Sequence, residues 1–169
     1  MPLANQDTPF GFKLYRSSKV GVHRQNRTAS AGRAKDLMVG DAYKDAGDGT
    51  VVRATANNDT ILGIVEGIKV NPIAASPQGP VSQDYIPAAD AGEIIGIEDK
   101  DAEYMVQIDD STGEAPGTAV GLVDADGSQL FRQSRQTVAT AGTQFTVTEI
   151  PLRADNQAGL LAKIIVRQA

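Results

Sequence analysis

The feature that most limits what this chain can become is its punctuation. Residues 37–70 read LMVGDAYKDAGDGTVVRATANNDTILGIVEGIKV. Apolar residues come there in short runs: Leu37, Met38 and Val39, then Val51 and Val52, then Ile61, Leu62, Ile64 and Val65. Between them lie Gly47, Asp48 and Gly49, and then Asn57, Asn58 and Asp59. Short β-branched runs bounded by Gly, Asp and Asn are strand and turn signals. The stretch predicts three strands meandering through one compact core, and none of its residues looks reactive.

The same signature continues downstream. Glu93, Ile94, Ile95, Gly96 and Ile97 form one strand candidate. In residues 103–108, Tyr104, Val106 and Ile108 fall on one face and Glu103, Met105 and Gln107 on the other, the period of a half-buried strand. Further strands are predicted at 120–123, 144–150 and 160–167, the last well buried because of Ile164, Ile165 and Val166. Gly63 and Gly67 mark a bulge or close packing inside a strand. Residues 30–37 have the composition for a helical turn or two, and Gly32 argues against more. Residues 71–87 carry Pro72, Pro77, Pro80 and Pro87 and read as a long loop. No segment keeps an apolar period of 3.6 over three turns. The fold class is therefore mostly β: a single antiparallel barrel or sandwich domain with an extended N-terminal arm and little helix.

At 169 residues the chain is one domain with, at most, an appendage. It has no Trp, so the core is built from Val, Ile, Leu and Ala, and no Cys, so disulfides and thiolate metal sites are impossible. The first residues lack the apolar run of a secretory signal. No apolar run approaches a membrane span.

Charge divides the chain. Residues 1–35 hold seven Lys or Arg against the single acid Asp7, whereas residues 36–126 hold four bases against 18 acids. This gives the expected organisation: a basic extended arm over 1–35, then a β domain over 36–169 with its Pro-rich loop at 71–87. Three of the eight Phe and Tyr residues fall within 10–15, where Phe10, Phe12 and Leu14 alternate with Gly11 and Lys13. That pattern fits an arm packing on a neighbour as well as the first strand of the same sheet.

Residue chemistry offers no catalytic centre. The one histidine, His23, lies beside Arg24 in the basic segment, away from any strand-end constellation that a Ser-His-Asp site would need. Asp124, Ala125, Asp126 and Gly127 begin like a calcium loop. The Gly comes two positions early, however, and Arg135 stands where the closing Glu belongs. Neither phosphate-cradling glycine motif occurs. The arm's cations are too thinly spread, and the body too acidic, for a nucleic-acid surface. The expectation is a non-enzyme without cofactor, metal, nucleic acid or membrane partner.

Several short motifs in order resemble the head decoration, or cement, proteins of tailed bacteriophages. They are Met1 to Asn5 with Gly11, Phe12 and Arg16; Val39-Gly40-Asp41-Ala42; Ile61-Leu62-Gly63-Ile64-Val65-Glu66-Gly67; Val106-Gln107-Ile108-Asp109; and Asp155-Asn156 with Ala162-Lys163-Ile164-Ile165-Val166-Arg167. Ile164 departs from the pattern, since the family often carries an aromatic in its last strand. The resemblance implies a virion protein on the outer capsid surface that binds the major capsid protein and clamps capsomers. It implies a homotrimer, with a homodimer as the other known arrangement, and no catalytic residues. The candidate capsid-binding residues are Phe10, Phe12, Leu14, Tyr15, Arg16, Lys19, Arg24, Arg27 and Arg33. A head-fibre or adhesin-like module for the host surface is the alternative.

Overall fold

The computed structural model describes residues 10–17, 21–69, 85–109, 115–124, 134–152, 156 and 162–169. Among these there are thirteen strands and no helix. In chain order they are β1 (Lys13–Arg16), β2 (Arg24–Ala29), β3 (Leu37–Met38), β4 (Ala42–Asp45), β5 (Val51–Arg53), β6 (Gly63–Lys69), β7 (Tyr85–Ile86), β8 (Gly92–Ile97), β9 (Glu103–Gln107), β10 (Ala119–Val123), β11 (Thr137–Ala139), β12 (Phe145–Glu149) and β13 (Lys163–Gln168). The fold is mostly β, as the punctuation predicts.

Five strands close a barrel in the order β2-β5-β4-β6-β8. Six others form a sheet in the order β1-β9-β13-β12-β10-β11, and β3 pairs with β7. The six-stranded sheet curls strongly. Val138 of β11 bridges to Ile108 just past β9, and the Asp109 amide donates to the Val138 carbonyl at 2.8 Å. The edge of β9 not taken by β13 is thus shared. β1 covers its first half, through Lys13 opposite Met105 and Leu14 opposite Tyr104, and β11 meets its end.

Alternation along the barrel wall feeds two cores. In β4, Ala42 joins one cluster and Tyr43 the other; in β6, Ile64 and Val65 divide the same way. The smaller cluster fills the barrel with Tyr43, Val51, Val65 and Ile94, and β3 and β7 cap it with Leu37 and Ile86. The larger lies between the barrel and the curled sheet. It holds Ile64 and Ile97 from the barrel, and Phe12, Tyr104, Val106, Phe145, Ile164 and Val166 from the sheet. Burying two layers is what allows a chain poor in aromatics to assemble a sizeable core.

Glycine makes room for the largest barrel side chain. Tyr43 is fully buried, and a Cβ at Gly96 would collide with its hydroxyl and ring, while one at Gly63 would strike the Ile97 carbonyl and the same hydroxyl. Gly67 sits at a register shift of β6 against β8. Both readings of these glycines, close packing and a bulge, occur. Substituting Gly96→Ala is expected to lower the melting temperature by about 5 °C or more in a thermal melt, the consequence of overpacking a filled barrel.

Several expectations need correction. The stretch 37–70 makes four strands, not three, because the polar segment Ala42–Asp45 forms a hairpin with β5 and also pairs with β6. Residues 30–36 bend without a helical turn. Tyr85–Ile86, the end of the expected 71–87 loop, is a strand, and residues 71–84 lie outside the described residues. The largest difference concerns residues 1–35. Their described parts do not stand apart as an arm: β1 belongs to the curled sheet, and β2 closes the barrel by pairing all six of its residues with β8. Backbone pairing and side-chain ion pairs hold β2 in place, which is why its sequence RQNRTA carries no strand-like apolar pattern.

Candidate functional site

The four candidate arginines among the described residues, Arg16, Arg24, Arg27 and Arg33, all have partners within the chain. Arg27 donates two hydrogen bonds to Glu98, at 2.6 and 2.7 Å, and the Tyr43 hydroxyl donates to the same carboxylate at 2.8 Å. Burial pushes the Glu98 carboxyl up, but these donors outweigh it and hold the group below its usual range. Arg24 makes a two-point contact with Glu66 at 2.5 and 2.7 Å. Arg16 pairs with Glu103 at 3.2 Å and with Glu149.

Arg33 is buried and donates to four backbone carbonyls, those of Ser30, Ile86, Pro87 and Asp90. Burial lowers its pKa, with Asp36 and Asp90 opposing. Arg33 fastens the chain around β7. Arg16, Arg24, Arg27 and Lys35 thus face carboxylates of their own chain, most of them in the acidic middle.

The aromatic candidates separate. Phe12 is 2% exposed, stacked on Phe145 with centroids 4.9 Å apart and edge-on to Tyr104 at 6.4 Å. It is core, and its amide donates to the Gly40 carbonyl at 2.8 Å. Leu14 is 38% exposed, one of three large apolar side chains so exposed among the described residues. Phe10 and Tyr15 are half-buried, beneath the Lys13 ammonium and the Arg16 guanidinium respectively, each 4.8 Å from the ring centre. Lys19 lies outside the described residues. What remains outward-facing is the edge of β1: among the described residues no strand pairs with its far side. It carries Lys13, Leu14, Tyr15 and Arg16 and a register shift between Leu14 and Arg16.

A second feature escaped the sequence reading. Asp41, at the turn between β3 and β4, is completely buried. Its Oδ2 accepts the Met38 amide at 2.8 Å and faces the Arg53 Nε at 3.5 Å, while its Oδ1 has no hydrogen-bond partner among the described residues. Arg53 also reaches Asp124 at 2.5 Å, and Lys35 contacts that carboxylate at 2.7 Å. Gln136 spans the gap, accepting the Ala42 amide at 2.7 Å and donating to the Ala54 carbonyl at 2.8 Å. The signal was present in the alternation. Arg53 stands two residues after Val51, on the inward face of its strand, where a cation demands a buried anion. Asp124, the first acid of the calcium-like run, has its carboxylate occupied by two cations. Among the described residues no three acidic or histidine side chains converge as a metal site.

Comparisons with known proteins found no matching family model, no matching curated protein and no matching solved structure.

Proposed function

We propose that this chain is a decoration protein of a tailed-bacteriophage head, a non-catalytic protein on the outer capsid surface that binds the major capsid protein and steadies capsomer contacts, as a homotrimer. The ordered motifs support the reading. Those within the described residues fall on framework positions, among them the Gly40-Asp41 turn, β6, the end of β9 and β13, while Met1 to Asn5 and Asp155 lie outside the described residues. The observation that carries it is the open outer edge of β1. An exposed edge is a template for an added strand from another chain. This one is short, cationic and bulged, which discourages pairing between identical copies and favours a partner strand with carboxylates opposite Lys13. Repetition over a closed shell multiplies a modest contact by avidity.

The test is a double substitution at exposed positions, the charge reversal Lys13→Glu with a new charge at Leu14→Glu. Occupancy on purified heads of the encoding phage is expected to fall at least about tenfold, a loss of roughly 1.4 kcal/mol per contact. The melting temperature should stay within a few degrees. Unchanged occupancy would overturn the β1 edge as the docking site.

A further inference from the structure

The Asp41 cluster is the ionic junction between two parts of the fold that also meet through their apolar core and through the Gln144 and Gln168 side-chain amides, which donate to the Ala56, Asp59 and Ile61 carbonyls. Asp41 leads into β4 and Arg53 ends β5, both of the barrel, while Asp124 follows β10 and Ser134 and Gln136 precede β11, both of the curled sheet. The backbone adds to the junction: the Phe12 amide, next to β1, donates to the Gly40 carbonyl at 2.8 Å, while the Val65 amide and carbonyl hold the Gly40-Asp41 turn on the barrel. At its centre is a fully buried carboxylate with one oxygen unserved. Such an anion is costly unless its lone pairs are met or it takes up a proton.

We propose that this cluster is a proton-controlled latch between the barrel and the curled sheet, tightened when Asp41 binds a proton from solvent and eased when Asp41 is ionised. The groups facing Asp41 among the described residues are Arg53 from β5, Asp124 after β10 with Lys35 behind it, the neutral Ser134 and Gln136, and the Met38 amide. Arg53 keeps Asp124 as its partner when Asp41 is neutral, so protonation strands no cation. The Ser134 hydroxyl beside the carboxyl, which favours the ionised form by donating to it, can equally accept from the added proton.

Burial drives the Asp41 carboxyl up to about 6, with Arg53, Ser134 and the Met38 amide holding it back and Asp124 adding to the rise. An unfolded Asp titrates near 3.9. Between these values the folded chain holds a proton that the unfolded chain has released. The stabilisation is therefore full below about pH 4 and is lost as pH rises through about 6. Asp48, Asp59 and Glu98, held below their usual range, act oppositely and lose stability on acidification. The whole-protein profile mixes both, so Asp41 is isolated by difference.

Thermal melts of the full chain and of Asp41→Asn should be compared at pH 4 and pH 7.5. The variant is expected to melt on the order of 5 °C above the parent at pH 7.5 and close to it at pH 4. A gap that is the same at both pH values, or a variant less stable at pH 7.5, would overturn the latch. If the variant fails to fold, carbon-detected titration of the parent's Asp41 carboxyl decides: a midpoint near 6 supports the proposal and one below 4 defeats it. Hydrogen exchange at the Met38 and Ala42 amides, corrected for intrinsic rate, should be slower at pH 5 than at pH 7. Equal protection would show a titrating residue without a latch.

Discussion

Deleting residues 1–35 is expected to unfold the chain, not to yield a folded body relieved of its arm. The deletion removes β2, leaving β8 without the partner that pairs with it from Gly92 to Ile97 and opening the barrel. It removes β1 from β9 and the Phe12 ring from between Phe145 and Tyr104. It also strands Glu98 without Arg27, and the carbonyls around β7 without Arg33. Circular dichroism of the truncated chain should show no cooperative transition. The point substitution Phe12→Ala should cost about 3–5 kcal/mol, the usual range for emptying a buried aromatic site. In a chain of this size that is a fall of roughly 6–20 °C in melting temperature. A truncated chain melting cooperatively near the parent's temperature would return residues 1–35 to the status of an appendage.

Arg53→Met should be the next most damaging change. The methionine fills comparable space, but Asp41 loses its only charged partner among the described residues and Asp124 is left with Lys35 alone. Removing one member of a buried ion cluster costs about 3–5 kcal/mol, because the remaining charges stay desolvated. The loss should be smaller at pH 5 than at pH 7.5. Without the guanidinium holding it down, the Asp41 carboxyl rises further and meets its lost partner by taking a proton. Adding Asp41→Asn to Arg53→Met should recover part of the stability, a non-additivity that denaturant titration of the four proteins can measure. Equal loss at both pH values, with additive single effects, would mean the two side chains do not act as a pair.

How much could be read in advance varied with what held each element. Strands stabilised by their own apolar side chains were legible: Glu103–Gln107 by its alternation, and Lys163–Gln168 by Ile164, Ile165 and Val166 at the centre of the curled sheet. Strands held by neighbours were not. Arg24–Ala29 is polar throughout because its backbone is zipped to β8 and its arginines meet Glu66 and Glu98. Ala42–Asp45 divides two inward residues between two cores and so shows no run. Thr137–Ala139 is too short to carry a period. The charge split suggested a basic arm docking on another molecule, because the sequence alone does not say where the counterpart of a charge lies. Here the acidic middle of the same chain supplies it. Of the nine residues proposed to bind a partner, Phe12 and Arg33 are structural and Arg16, Arg24 and Arg27 are paired internally. Of the rest, Leu14 and the half-buried Phe10 and Tyr15 remain at or beside the sheet edge, where Lys13, not one of the nine, joins them, and Lys19 lies outside the described residues.

The N-terminal strands are built into the scaffold, and the proposed capsid partner would meet the outer edge of β1. An electron-microscopy reconstruction of heads of the encoding phage tests this most directly. The predicted result is the chain on the outer capsid surface, with a strand of capsid protein lying along Lys13–Arg16 and with β2 closed into the barrel wall away from the contact. Heads that lack the chain, or that bind it with the outer edge of β1 facing solvent, would contradict it.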